Sequence, residues 1–262
     1  MPARPPTDPA DTAPRRTRKQ LHIVQLIPNF MTIAALCAGL TAVRFAVEGN
    51  FGIAVALIIA AAVMDGLDGR LARLLKSESD IGAELDSLCD FVNFGVAPAL
   101  IVYLWALQHM RSEGWIAALI YAVACLLRLA RFNVGTRQPE YDPNSFQGVP
   151  SPAGALLVML PIFLAYALTD GSPVVPFAVA VWMPLIGALM VGRFRTPSFK
   201  KITFYAENVS FVLLTFVALV AALLTYPWTT LALADLAYLG VLLTSFARKP
   251  APVLVQPIEG AD

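Results

Sequence analysis

Four aspartates stand close together in an apolar part of the chain, AAVMDGLDGRLARLLKSESDIGAELDSLCDFVNFGVAPAL, from Ala61 to Leu100. Asp65 and Asp68 lie three residues apart, and Asp86 and Asp90 lie four apart. Either spacing puts both members of a pair on one helix face. The turn between the pairs, KSESD, is short. The two helices are therefore expected to be antiparallel neighbours, with the four carboxylates converging at one end. A carboxylate at the centre of a membrane helix costs about 2.5–3.5 kcal/mol, and less near an end. Like charges held together repel as well. A divalent cation relieves both penalties. Oxygen donors favour Mg2+, Mn2+ or Ca2+ over zinc. Two ions about 3.5–4 Å apart would engage all four carboxylates and suit phosphoryl chemistry.

The residues between the aspartates fit a ligand groove. Gly66 and Gly69 each weaken a helix by about 1 kcal/mol relative to alanine. Close approach of a ligand or of a neighbouring backbone would offset that. Ala72 and Gly82 keep the groove open, and Arg73 can present its planar fork to a phosphate. The competing reading is a set of surface carboxylates paired with Arg70, Arg73 and Lys76.

These residues need membrane helices to hold them. The chain has 262 residues, 58% apolar and 14% charged, with a mean hydropathy of +0.67. A soluble domain has about 25% charged residues, so the composition indicates an all-α polytopic membrane protein. Eight apolar runs approach the roughly 20 residues a span requires: 26–47, 51–74, 82–107, 115–132, 151–168, 173–192, 207–225 and 228–246. Of the 19 Lys and Arg, all but Arg44 and Arg111 fall in alternate connections or in the tails. The positive-inside rule then places both termini and the aspartates on the cytoplasmic side. Residues 1–20, rich in Pro, Thr and charge and ending PRRTRKQ, read as a disordered basic tail without a cleaved signal. A second tail covers 247–262.

Other residues carry less. Cys37, Cys89 and Cys125 are read as buried apolar side chains, since three isolated cysteines give neither metal spacing nor a disulfide framework. His22 and His109 are read as surface residues. A net charge of +1 offers no footprint for nucleic acid, and none is expected as a partner. Arg128 and Arg131 are topology-setting arginines at the headgroups or a pocket for a lipid phosphate or a carboxylate. GVPSPAG at 148–154 reads as a helix start. Asp235 is read as a helix-packing or interfacial residue.

The segment DGLDGRLARLLKSESDIGAELDSLCD follows the pattern D-x-x-D-G-x-x-A-R-x8-G-x3-D-x3-D. It resembles the signature of the CDP-alcohol phosphotransferase family at every fixed position: Asp65, Asp68, Gly69, Ala72, Arg73, Gly82, Asp86 and Asp90. The resemblance implies that Asp65, Asp68 and Asp86 hold metal, and that Asp90 is the general base and also touches metal. It implies that Asp68, Gly69, Arg73 and Gly82 bind the CDP moiety. It further implies Mg2+ or Mn2+, two ions, and a homodimer in the inner membrane. The implied fold is a six-helix core with its site open to the cytoplasm. That core would cover 21–206, with two more transmembrane helices at 207–246.

The implied reaction transfers a phosphatidyl group from a CDP-linked donor to an alcohol, releasing CMP. Flanking segments LIPNFMTIAALCAGL (26–40), LDSLCDFVNFGVAPAL (85–100), LRLARFNV (127–134), FQGVPSPAGA (146–155) and RTPSFKK (195–201) are similar to those of bacterial members acting on CDP-diacylglycerol and L-serine. Cys89 and Asn93 depart from that pattern. Other acceptors remain open: glycerol 3-phosphate, inositol phosphate or choline. So does a cation or proton transporter using the aspartates as its pathway, although such sites lie near the midplane and many such folds carry internal repeats.

Overall fold

The structure is a computed structural model that describes residues 26–75, 77, 79–110, 112–136, 148–172, 175–192 and 209–247. Apart from Ala247, which ends a helix, the expected tails at 1–20 and 247–262 lie outside the described residues, as do His22, Lys76, Arg111, Arg137, Arg193, Arg195, Lys200 and Lys201. Every regular element described is helical. Helix α1 (Ile27–Val47) and helix α2 (Phe51–Leu74) form an antiparallel hairpin. The third span starts as α3 (Asp80–Asp90), passes through a π-helical stretch (Phe91–Val96), continues as α4 (Ala97–Val102) and ends π-helical (Tyr103–Leu107). Then come α5 (Ser112–Thr136), α6 (Ser151–Leu168), α7 (Pro176–Val191), α8 (Val209–Thr225) and α9 (Pro227–Ala247).

Six of these segments are long and apolar enough to cross a membrane. The chain is a multi-pass membrane protein. The expected sixth and seventh spans are shorter than their apolar runs suggested: α7 has 16 residues and α8 has 17. At 1.5 Å per residue α7 covers about 24 Å, less than the roughly 30 Å hydrocarbon core. The residues beyond α7 and before α8 lie outside those described.

Small residues set the spacing of the first hairpin. The buried positions of α1 are Pro28, Thr32, Ala35, Gly39, Ala42 and Ala46, alternating steps of four and three. They meet Ala54, Val55, Ile58, Ala61 and Asp68 of α2. In lipid, helices associate by close packing, and small side chains permit it. Leu40, Ile33 and Val47 point away from this seam and are exposed, as a lipid-facing side requires.

A proline inside a span leaves a carbonyl that its own helix cannot serve. Pro161 has no N–H for the oxygen four residues earlier, Leu157 O; the Trp182 indole N–H of α7 donates to it at 2.8 Å. In the third span, where the π-helical stretch pairs Ala97 N–H with Val92 O, the Tyr121 hydroxyl of α5 donates to Phe94 O at 2.8 Å, four residues before Pro98. Gly148 has a φ of +76°, and a β-carbon there would sit 2.4 Å from Met190 O. Only glycine lets the chain pass α7 before α6 starts at Ser151, where GVPSPAG was expected to begin a helix.

Of the two helices expected beyond the core, α9 is packed into it. Its Trp228 stacks on Tyr166 of α6 with ring centroids 4.5 Å apart, and its Ala232, Asp235 and Leu242 are buried. Asp235 thus lies in the packed seam, with Oδ2 lacking a hydrogen-bond partner. Helix α8 packs chiefly on α9, and its described side chains from Leu213 to Ala221 are exposed.

Candidate metal and nucleotide site

The acidic end of the α2–α3 hairpin is assembled by local devices. Ser79, extended at the N-cap of α3, accepts the N–H of Gly82 at 3.0 Å, which fixes where the helix begins and therefore where Asp86 and Asp90 face. A β-carbon on Gly82 would lie 3.0 Å from the Ser79 oxygen and 3.2 Å from Asn29 Oδ1. From the other side, Asn133 of α5 donates to Ser87 Oγ at 2.7 Å, bracing α3 between its two aspartates.

Asp65, Asp68 and Asp86 converge, each offering one carboxylate oxygen within 4.8 Å of the others. Asp90 stands outside this trio, its carboxyl facing that of Asp65. Among the described residues no Lys or Arg lies within 4.0 Å of any of the four carboxylates. The reading of cation-paired surface carboxylates therefore fails for Arg70 and Arg73. Arg73 instead turns its Nε onto Gly69 O at 3.1 Å.

Asp68 is 2% exposed, and its Oδ1 has no hydrogen-bond partner; nor has Asp90 Oδ1. Buried like charges without partners are costly. Oxygen donors at this spacing, on a trio that includes a residue with an orphaned buried carboxylate oxygen, fit a hard divalent cation.

Beside the trio opens a cavity of about 430 Å³, lined by Asn29, Thr32, Asp68, Gly69, Ser77, Ser79, Gly82 and Asp86 among others. A β-carbon on Gly66 or Gly69 would meet nothing within 4 Å. No neighbouring backbone explains these glycines, which leaves room for a ligand. Arg73 is not in the lining.

Asn29 and Thr32 are among the lining residues missed as site residues by sequence reasoning. They sit in LIPNFMTIAALCAGL, a segment whose similarity was visible but whose position against Asp68 depends on how α1 packs on α2. Asn93 is fully buried, and neither its Nδ2 nor its Oδ1 has a partner. Its amide lies over Gly39, where a β-carbon would come within 2.1 Å of Oδ1.

The two arginines weighed together part company. Arg131 donates to Val191 O at 2.7 Å, closing the end of α7. Arg128 reaches across to Ser151, the fully buried first residue of α6, which accepts its hydrogen bond. The Arg128 Nε is buried without a partner, and its charge is felt at Asp90.

The CDP-alcohol phosphatidyltransferase family profile matches residues 25–192, the stretch that holds the whole site. The chain belongs to the CDP-alcohol phosphatidyltransferase family. A second profile, CDP-alcohol phosphatidyltransferase 2, matches 207–242, so the stretch expected as an addition to the family's core also has a counterpart among these enzymes. The CDP-diacylglycerol–serine O-phosphatidyltransferase of Mycobacterium leprae is 44% identical over 186 residues, covering 70% of this chain and 61% of that one. The Helicobacter pylori (strain 26695) enzyme of the same name is 37% identical over 184 residues, 70% of this chain and 76% of its own. That of Bacillus subtilis is 35% identical over 176 residues, 67% and 92%. The chain spans about three fifths of the mycobacterial relatives it matches. Members of the family are generally dependent on a divalent metal, and the acidic trio has the donor set for one.

Proposed function

We propose that this protein transfers the phosphatidyl group of CDP-diacylglycerol to L-serine, giving phosphatidylserine and CMP. The observation that carries the reading is the meeting of Asp65, Asp68 and Asp86 within 4.8 Å beside a cavity of ligand size. The names of the relatives support the choice of serine.

Asp65, Asp68 and Asp86 would hold the divalent metal, Mg2+ or Mn2+, with two ions if Asp90 also contributes. When bound, the metal neutralises the diphosphate and the charge that develops on departing CMP. Gly69 and Gly82 leave room for the CDP moiety beside Asp68; for Arg73, whose Nε is turned onto Gly69 O, only the family resemblance supports a CDP contact. Asp90 takes the proton of the serine hydroxyl as its oxygen attacks the lipid-side phosphorus. A new P–O bond to serine forms, the P–O bond to CMP breaks, and the proton rests on the Asp90 carboxyl. Arg128, whose buried Nε has no partner, is assigned to the lipid phosphate or the serine carboxylate. Arg131 is spent on Val191 O and is assigned no substrate.

The catalytic unit is assigned to 21–206, with α9 braced against it. The distribution of Lys and Arg supports an inner-membrane protein with its site and termini on the cytoplasmic side. The family resemblance supports a homodimer.

The test is CMP release by the protein purified in detergent, with CDP-diacylglycerol and Mg2+ or Mn2+. L-serine, glycerol 3-phosphate, inositol phosphate and choline are supplied in parallel. Release with serine alone, lost on chelation and restored by metal, is the expected result. Release with another alcohol keeps the mechanism and overturns the acceptor. No release with any of them, from folded protein, favours the transport reading.

A further inference from the structure

Thr32 lies on the small-residue stripe of α1, where alanine and glycine occupy most of the positions deeper in the membrane. It is 5% exposed, and its neighbour across the seam is Asp68, 2% exposed. The Thr32 hydroxyl has two acceptors in reach: Pro28 O at 3.1 Å and Asp68 Oδ2 at 2.7 Å. A hydroxyl carries one hydrogen. In a helix interior a threonine commonly returns it to the carbonyl four residues back. Here the carboxylate oxygen is nearer, and a hydrogen bond to a charged acceptor is the stronger of the two. The hydrogen goes to Asp68.

That bond divides the two oxygens of Asp68. Oδ2 is occupied by Thr32, while Oδ1 is buried and has no partner. A carboxylate held by one oxygen cannot swing freely about its terminal torsion. The position of the free oxygen is therefore set by α1, a helix that contributes no acid to the cluster. We infer that Thr32 is a positioning residue: its hydroxyl fixes Asp68 so that the remaining oxygen faces Asp65 and Asp86 and is preorganised for a divalent cation. The inference rests on the reading of this trio as a metal site. Outer hydrogen bonds of this kind orient metal ligands, and their loss commonly weakens metal binding by about 10–100-fold.

The experiment is Mn2+ binding to the full chain in detergent, followed by electron paramagnetic resonance without any substrate. Thr32→Val keeps the shape and removes the donor; Thr32→Ser keeps the donor and removes a methyl group. Thr32→Val is expected to bind Mn2+ about 10–100-fold more weakly, with Thr32→Ser close to the parent. Placed on an Asp68→Asn background, Thr32→Val should add little, because the charged acceptor is already gone. Equal Mn2+ affinity in the parent and Thr32→Val sinks the inference while leaving the metal site standing. Equal weakening in Val and Ser variants also sinks it, since packing would then be the cause. Failure of the parent itself to bind Mn2+ overturns the metal reading and this inference with it.

Discussion

Two cavities of similar size lie in this molecule and differ in nearly everything else. One, about 430 Å³, opens beside the aspartates; the other, about 370 Å³, is walled by Trp105, Pro161, Leu164, Leu168, Val179 and Trp182 among others. In the second, the polar groups already have partners. The Trp105 indole N–H donates to Gly171 O at 2.8 Å, that of Trp182 to Leu157 O at 2.8 Å, and the Thr169 hydroxyl to Ala165 O at 2.6 Å. Nearby Asp170 is exposed and accepts the Ser172 N–H, which holds its carboxyl below the usual range. In the first, Asp68 Oδ1 is buried without a partner. Volume alone does not mark a functional site. What separates these two cavities is a buried carboxylate oxygen without a partner, costly unless a ligand answers it.

The contrast can be broken at either cavity. The largest effect belongs to Asp90→Asn, which keeps the shape and removes the base. Turnover, measured as CMP release, is expected to fall by about 10²–10⁴-fold, with CDP-diacylglycerol binding largely retained. Normal turnover in this variant would remove Asp90 from its assigned role. Trp182→Phe comes next. It strips the donor from Leu157 O and should destabilise the protein by about 1–3 kcal/mol, read as a lower thermal midpoint in detergent, while Mn2+ affinity stays unchanged. A change in Mn2+ affinity would show that the two cavities are coupled after all. Trp228→Leu is the smallest, losing the stack on Tyr166 worth about 0.5–1.5 kcal/mol beyond its buried area. The same midpoint measurement resolves it, and α9 is expected to loosen without loss of CMP release per folded molecule.

How much could be read in advance follows from how local each feature is. The meeting of Asp65, Asp68 and Asp86 was legible because all three belong to one hairpin, where helical spacing plus a short turn sets their placement; that Asp90 stands outside the trio was not. Gly66 and Gly69 were legible for the same reason, since their openness depends on what α2 lacks. Thr32 was not, because its relation to Asp68 crosses 36 residues and depends on how α1 docks. The two π-helical stretches were invisible to an apolar pattern that treats every span as a uniform helix. Pro98 and Pro161 were not read as missing donors, and nothing in the local sequence names Tyr121 and Trp182 as the groups that bond near them. Arg128 and Arg131 share one helix end and similar surroundings in sequence. They differ only through Ser151 and Val191, both contributed by other helices.

The bond between Tyr121 and Phe94 also bears on how the chain is made. The acceptor lies in the third span, and its donor follows 27 residues later in α5. A ribosome therefore delivers a hydrophobic segment that lacks one backbone N–H, at Pro98, before it delivers the hydroxyl that bonds to Phe94 O. Lipid offers no substitute, and an unserved carbonyl there costs several kcal/mol. The third span is thus a finished membrane helix only in company, and it leaves the insertion machinery at least cost when α5 leaves with it.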